Sequence, residues 1–541
     1  MDISPWISIP LATLTALIIA MHYYYKNAFK FWKKRGLRGP KPYPLVGNFL
    51  HLIMDTDATK VWAQEFGKVY GIYDGSRPIL IVSDPRVMHQ ICVRDFNKFP
   101  NHNSPEFNSD LAKAFISSAK DDHWRRVRAI LSPTFTSGKM RRMFKLLDIS
   151  ADNLTEALQE QLKSKPIVNL KDLFGLYTMD AIASCCYGIR LMSYKGETSL
   201  ASASNRDEFV KQAMKLFEFK TWQIILLVIL SPNFLKRYGI RLVAGDREMA
   251  FAKRVEQIIE KRRESGRHFD DYLQTLIEAK VETPTNNSQS DENGLDTLEQ
   301  HHIGASERQE LISDEVRKLG DDDNKILSDI EILSGATFLL VVGLETTSTL
   351  LTSCFYVLSF HQTIQEKLYQ TIKSLARIDE QNKVSFDYDS LTSCQYLDAV
   401  VSETLRAMCP LFLNDRVASD NYYLESHDLS LPKGTKILLP LYAMMNDPDY
   451  WPDPDVFDPE RFMPEQQHKI VPNSYCPFGI GPRHCLGMRF SLTESKLALA
   501  KLLMEFKFEP APGASYPPEM KLNFALGSIK RPEVIVIRRQ I

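Results

Sequence analysis

Ten residues near the end of the chain, Phe478-Gly479-Ile480-Gly481-Pro482-Arg483-His484-Cys485-Leu486-Gly487, constrain it more than any other stretch. Glycines at this density let the backbone approach a flat ligand closely. One cysteine stands in the loop, just ahead of an amphipathic pattern that begins near Met488. A thiol there can present its sulfur to an open metal face. Backbone amides at a helix start, with Arg483 two residues away, favour thiolate over thiol. A single cysteine is most often a small buried hydrophobe, but the fixed spacing of Phe, Gly, Arg and Cys outweighs that reading here.

The other cysteines narrow the choice further. Eight are spread along the chain with no CxxC pair and no regular spacing, which argues against a zinc site and a disulfide scaffold and favours a reducing compartment. A formal charge of -1 over 541 residues gives no global field that would draw the chain to nucleic acid. That length fits one large cofactor-centred unit or two lobes.

Residues 1–25 read as a membrane anchor. From Pro5 to Tyr25 the chain is almost wholly apolar or small, and about 20 such residues cross a bilayer. A cleavable leader would open with basic residues and close with small ones, whereas Asp2 precedes this run and Tyr23, Tyr24 and Tyr25 end it. Lys26, Lys30, Lys33, Lys34, Arg35 and Arg38 follow, a basic flank of the kind that stays cytoplasmic. Residues 26–44 form a hinge stiffened by Gly39-Pro40-Lys41-Pro42-Tyr43-Pro44. Residues 45–541 would then be one body facing the cytosol.

In that body, apolar residues at three- and four-residue spacing dominate, as in Leu397 to Leu405 and Phe490 to Leu503. Val69 to Tyr73 and Ile79 to Val82 flank Asp74-Gly75-Ser76, a hairpin signal, and strand-like runs recur at Lys436 to Leu439 and near Val534 to Ile537. Periodicity alone thus gives a mainly α chain with small sheets and no internal repeat. Residues 282–325 are polar and acidic with no aromatic residue, and read as a mobile surface insertion. The apolar run from Thr221 to Leu230 is too short to span a bilayer; it reads as a core helix or as a lid dipping into the membrane.

The spacing Phe478-x-x-Gly481-x-Arg483-x-Cys485-x-Gly487 resembles the haem-binding loop of the cytochrome P-450 superfamily. The resemblance implies Cys485 as the axial thiolate of the haem iron, Arg483 on a haem propionate and Phe478 beside the sulfur. Glu403 and Arg406 stand three apart on one helical face, by themselves an ordinary ion pair. Phe457-Asp458-Pro459-Glu460-Arg461-Phe462 resembles the segment whose arginine joins the family's Glu-Arg pair, which implies a buried triad of Glu403, Arg406 and Arg461. Leu340 to Thr347 puts an acid and hydroxyls into an apolar helix, costly unless they serve a partner. A threonine there can also simply bond back to its own helix. The run resembles the family's oxygen-activating segment and implies Glu345 and Thr346 as proton-delivering residues. Trp124 and Arg128, matching Trp-x-x-x-Arg, and Arg416 are implied as propionate contacts.

The resemblance implies the P-450 fold, with a large helical lobe, a small β-containing lobe and haem b between them. It implies a monooxygenase acting on a small hydrophobic xenobiotic, steroid or fatty-acid-like substrate, with NADPH electrons from NADPH-cytochrome P-450 reductase and cytochrome b5 as a second partner. Leu131-Ser132-Pro133-Thr134-Phe135-Thr136-Ser137-Gly138-Lys139 and Met488-Arg489-Phe490 look like the animal microsomal branch of broad-specificity drug and steroid oxidases, which implies the endoplasmic reticulum membrane. Arg125, Arg126, Arg128, Lys139, Arg141, Arg142 and Lys145, with no acid among residues 123–147, form a basic patch suited to an acidic electron donor. A peroxide-dependent haem enzyme, an isomerase or a haem carrier would keep Cys485 without needing Glu345-Thr346. Two departures stand out: Val342 where alanine is common, which narrows the pocket, and Cys409 where proline is common.

Overall fold

The computed structural model describes every residue except 1–4, 104–109, 189–244, 270, 279–325, 382, 524 and 540–541. The acidic insertion and the apolar run from Thr221 to Leu230 therefore lie outside the described residues.

The apolar N-terminal run forms helix α1 (Pro5–Ala28). Ile9, Leu11, Leu14, Leu17, Ile18 and Ile19 are all exposed on it. Near its end it meets the body, where the Tyr24 and Ser76 hydroxyls lie 3.0 Å apart and Phe29 packs between Tyr25 and Tyr73. The basic stretch that follows contains an anchor of its own. Trp32 is buried on Gly71, and its indole N–H donates to the Ile72 carbonyl at 2.9 Å. The proline-rich connector is likewise tied down, with the Gly71 N–H donating to the Arg38 carbonyl at 2.9 Å. It runs bonded along the sheet edge instead of crossing open solvent.

That sheet begins with the hairpin read from sequence, β1 (Val69–Asp74) and β2 (Arg77–Val82), joined by a two-residue turn in which Gly75 has φ +60°. A left-handed residue at that position matches the turn to the strand twist, which is why glycine occupies it. Two later strands, β3 (Leu413–Val417) and β4 (Lys436–Pro440), complete the order β1-β2-β4-β3, with β2 and β4 parallel and the other pairs antiparallel. A second sheet near the C-terminus pairs β5 (Phe506–Pro510) with β6 (Glu533–Arg538), and β6 in turn with the short strand Ile167–Asn169.

The larger lobe is helical: α2 (Asp121–Leu131), α3 (Ser137–Leu162), α4 (Leu170–Tyr187), α5 (Asp329–Phe360), α6 (Gln395–Ala407) and α7 (Met488–Glu505). At 32 residues α5 is long and apolar enough to cross a membrane, but 65% of its most apolar window is buried inside the protein. It is the central core helix. Ser328 and Glu331 close a reciprocal capping box at its start, satisfying amides that the first turn leaves unpaired. Helix α4 packs closely on it because Gly343 has no side chain: a Cβ there would stand 2.9 Å from Ile182 Cδ1. Phe174 of α4 stacks on Phe355 of α5 at 5.1 Å. The mainly α class and the smaller β lobe agree with the sequence reading.

Candidate active site around the cysteine loop

The loop before α7 is held by its own backbone. The Cys485 N–H donates to the Phe478 carbonyl at 2.8 Å, and the His484 N–H to the Gly481 carbonyl at 3.0 Å. Gly479 and Gly481 take φ +75° and +73°. A Cβ at Gly481 would meet the Cys92 carbonyl oxygen at 2.0 Å, so this glycine permits both the turn and the contact. Gly487 is different, since beyond its chain neighbours no atom of the described residues lies within 4 Å of the place its Cβ would take.

Cys485 is half-buried beside the core. Burial pushes its thiol up, against the Gly487 N–H and the charge of Arg128, which pull it down. The backbone-amide part of the sequence reading is thus present in the Gly487 N–H, while the favourable charge comes from Arg128 and not from Arg483. The Arg483 guanidinium is turned to other partners.

The arginines divide by what they touch. Arg483 is buried, donating to the carbonyls of Pro100 (2.7 Å), Ile116 (3.1 Å) and Ala119 (2.8 Å), and its guanidinium lies 4.0 Å over the Trp124 ring. Arg128, one turn along α2 from Trp124, donates to His484 Nε2 at 3.1 Å, while His484 Nδ1 lies 2.9 Å from the Gly481 carbonyl. An accepting Nε2 leaves Nδ1 as the protonated nitrogen. Trp124, Arg128 and Arg483 are thus brought together against the loop, with His484 as a link the sequence reading did not name. Arg416 on β3 is fully buried, and its Nη1 donates to the Asp415 carbonyl at 2.7 Å. Its Nε and Nη2 have no hydrogen-bond partner among the described residues. Asn414, two residues before it, packs by the loop, its Nδ2 3.3 Å from where a Cβ at Gly479 would stand.

Behind the loop, Glu403 and Arg406 are both fully buried and bonded twice, at 2.8 and 2.9 Å. Arg461 Nε stands 3.6 Å from Glu403, and the Asp458 N–H donates to the same carboxylate at 3.0 Å. Arg406 also donates to the carbonyls of Met445 (3.1 Å) and Pro454 (2.8 Å). The three residues meet, and they tie α6 to the chain leading into the loop.

On α5, Phe338, Val342 and Thr346 recur every fourth residue and so share one stripe. Phe338 packs against Phe115 at 5.1 Å, and Val342 is 37% exposed although it sits in a core helix. The Thr346 hydroxyl donates to the Val342 carbonyl at 2.8 Å, the back-bonding that a helical threonine commonly makes. Glu345 does not bond Thr346; its Oε1 lies 2.9 Å from Lys171 Nζ on α4. The basic patch is smaller than the sequence suggests. Arg126 is paired with Glu331, Arg128 is buried, Lys139 is half-buried and Arg125 pairs with Asp122 at 2.7 Å, which leaves exposed on α3 Arg142, Lys145 and Arg141, the last paired with Asp389 at 2.7 Å.

The family model described as Cytochrome P450 matches residues 37–536. This chain belongs to the cytochrome P450 family. It is 32% identical to cytochrome P450 3A9 of Rattus norvegicus over 526 residues, 96% of this chain and 94% of the relative. It is 34% identical to cytochrome P450 3A14 of Cavia porcellus over 531 residues, 96% and 94% of the two chains. Against cytochrome P450 3A11 of Mus musculus it is 32% identical over 554 residues, 100% and 98%. A cytochrome P450 carries haem b and is a monooxygenase that receives electrons from a redox partner. The residues present fit that cofactor. Cys485 supplies a soft sulfur donor, Gly487 leaves room for a flat ring, and the buried Arg416 has two orphaned donors suited to a carboxylate.

Proposed function

We propose that this cytochrome P450 inserts one atom of dioxygen into small hydrophobic molecules of xenobiotic, steroid or fatty-acid-like character, using NADPH electrons relayed by a flavoprotein reductase. The observation that carries this reading is the stripe of Phe338, Val342 and Thr346 on α5, in which an apolar wall ends in a hydroxyl. An aromatic and aliphatic wall binds apolar substrates by removing their surface from water.

Haem ligated by a cysteine thiolate supplies oxygen activation, the thiolate pushing electron density toward O–O cleavage. Cys485 would hold the iron, with Phe478 beside the sulfur. Arg416 would take a propionate with its free Nε and Nη2, while Trp124, Arg128 and Arg483 brace the same edge. Gly487 would let the backbone approach the ring closely, while Gly481 permits the turn against Cys92. Thr346 would hold a proton-bearing water by its hydroxyl, and Glu345 would replace that proton from solvent. Glu403, Arg406 and Arg461 keep the loop in register from behind.

The exposed apolar α1 followed by a basic flank supports a single N-terminal anchor in the endoplasmic reticulum membrane, with the body in the cytosol. Residues 26–44 would set the tilt of the body on that membrane. Arg141, Arg142 and Lys145 supply the positive surface for the acidic reductase, and for cytochrome b5 as a second donor.

The test is turnover of an apolar steroid by the full chain in lipid vesicles with purified reductase and NADPH. Hydroxylated product is expected, and Thr346→Ala should keep consuming NADPH while product per NADPH falls. Turnover that needs only peroxide, or equal coupling in the variant, overturns the proposed chemistry.

A further inference from the structure

Lys171 sits where a cation is disfavoured. Asn169 caps α4, its side-chain oxygen accepting from the Lys171 N–H at 3.0 Å and the Asp172 N–H at 3.2 Å, so Lys171 lies in the first helical turn. That end of a helix carries partial positive charge and stabilises anions. Burial further opposes the charged form of the lysine, Lys521 on the short strand Met520–Asn523 adds repulsion, and the net effect is a lowered pKa despite Glu345 and Asp172. Packing α4 against α5 would be served better by an apolar residue. The ammonium instead lies among oxygens of α5: it donates to Ser348 Oγ at 2.9 Å, to Thr349 Oγ1 at 2.8 Å and at 3.3 Å to the Glu345 main-chain carbonyl, and it pairs with Glu345 Oε1 at 2.9 Å. Residues i, i+3 and i+4 form one helical face. The ammonium therefore fixes the direction of the Glu345 carboxylate from a neighbouring helix, and the two hydroxyls fix the ammonium.

We propose that Lys171 is the positioning residue for Glu345, holding its carboxylate at the edge of the Thr346 stripe so that proton delivery stays in step with electron delivery. This rests on the reading of Glu345 as proton donor. Lys171 touches neither haem nor substrate and acts only through the carboxylate.

The experiment compares Lys171→Met, Lys171→Arg, Glu345→Gln and the Lys171→Met, Glu345→Gln double variant, as full-chain holoenzymes with reductase and an apolar steroid. Product formed per NADPH and the melting temperature are both read. Lys171→Met should lower coupling by about tenfold, since misplacing a reacting group by ~1 Å costs up to about a hundredfold, and Lys171→Arg should restore most of it. In the Glu345→Gln background Lys171→Met should change coupling no further, and the two melting shifts should be non-additive. Glu345→Gln that uncouples while Lys171→Met does not overturns the role of Lys171 alone. An equal loss from Lys171→Met in both backgrounds, or improved coupling, also overturns it. Glu345→Gln that leaves coupling intact removes the underlying reading and this proposal with it.

Discussion

Replacing Arg406 by methionine keeps most of the side-chain volume and removes the charge from a fully buried pair. In the native protein its guanidinium holds Glu403 through two bonds and donates to the carbonyls of Met445 and Pro454. Methionine leaves the Glu403 carboxylate, itself fully buried, with the Asp458 N–H at 3.0 Å and Arg461 at 3.6 Å as its remaining partners. Breaking a buried pair from one side costs about 3–5 kcal/mol, because the remaining charge keeps its desolvation penalty. At about 1.4 kcal/mol per decade, that is a roughly hundred- to several-thousand-fold fall in the folding equilibrium, taken from a total of about 5–15 kcal/mol. The assay is denaturation of the holoenzyme in urea, followed together at the haem absorbance and by far-ultraviolet circular dichroism. Arg406→Lys should fall between, since an ammonium keeps the charge and loses the two-pronged geometry. Arg141→Met, which breaks an exposed pair with Asp389, should cost about 1 kcal/mol or less. An Arg406→Met protein within about 1 kcal/mol of the native one, with full haem content, would refute the argument that this buried pair supports the loop.

Other consequences can be checked independently. Burial opposes ionisation of Glu331, but hydrogen bonds from His123 and Ser328 and the charge of Arg126 outweigh it and hold the carboxyl at about 2. A carboxyl depressed in the folded state contributes stability above its unfolded pKa and loses it as pH falls toward the folded value. Glu331→Gln should therefore remove about 2–3 kcal/mol near neutral pH and flatten the stability profile between about pH 5 and 2; an unchanged profile in a pH series of urea titrations would count against it. Gly481→Ala and Gly487→Ala should differ, because a Cβ meets the Cys92 carbonyl in the first and, beyond the chain neighbours, no atom of the described residues within 4 Å in the second. The first should disturb folding and haem content together, and the second should keep the native circular dichroism while haem occupancy falls. Equal melting curves for the two would contradict that distinction.

Much of the site is legible in the sequence wherever local spacing fixes geometry. Glu403 and Arg406 are one helical turn apart, so their pairing follows from the helix, and the glycine spacing of the cysteine loop foreshadows its left-handed turns. Contacts set by tertiary packing are not legible in this way. Lys171 has no periodic signal and lies 174 residues from Glu345, and only the packing of α4 on α5 joins them. Arg126 and Arg128 look like surface cations in the sequence, yet α2 turns them inward to Glu331 and His484. Trp32 sits within a basic run and is nonetheless buried against Gly71, because a glycine in β1 opens a slot for its ring. The backbone carbonyls and the Trp124 face that collect the Arg483 guanidinium carry no local sequence signal either.

The central claim is that Cys485 ligates haem iron as a thiolate. It is tested most directly by the absorbance spectrum of the dithionite-reduced, carbon monoxide-bound protein, recorded beside Cys485→Ala and beside Cys476→Ala, a buried neighbour in the same stretch. A strongly red-shifted main haem band in the native protein and in Cys476→Ala, lost in Cys485→Ala, is the predicted result. An unshifted band in intact native protein, or a shifted band that survives in Cys485→Ala, would contradict it.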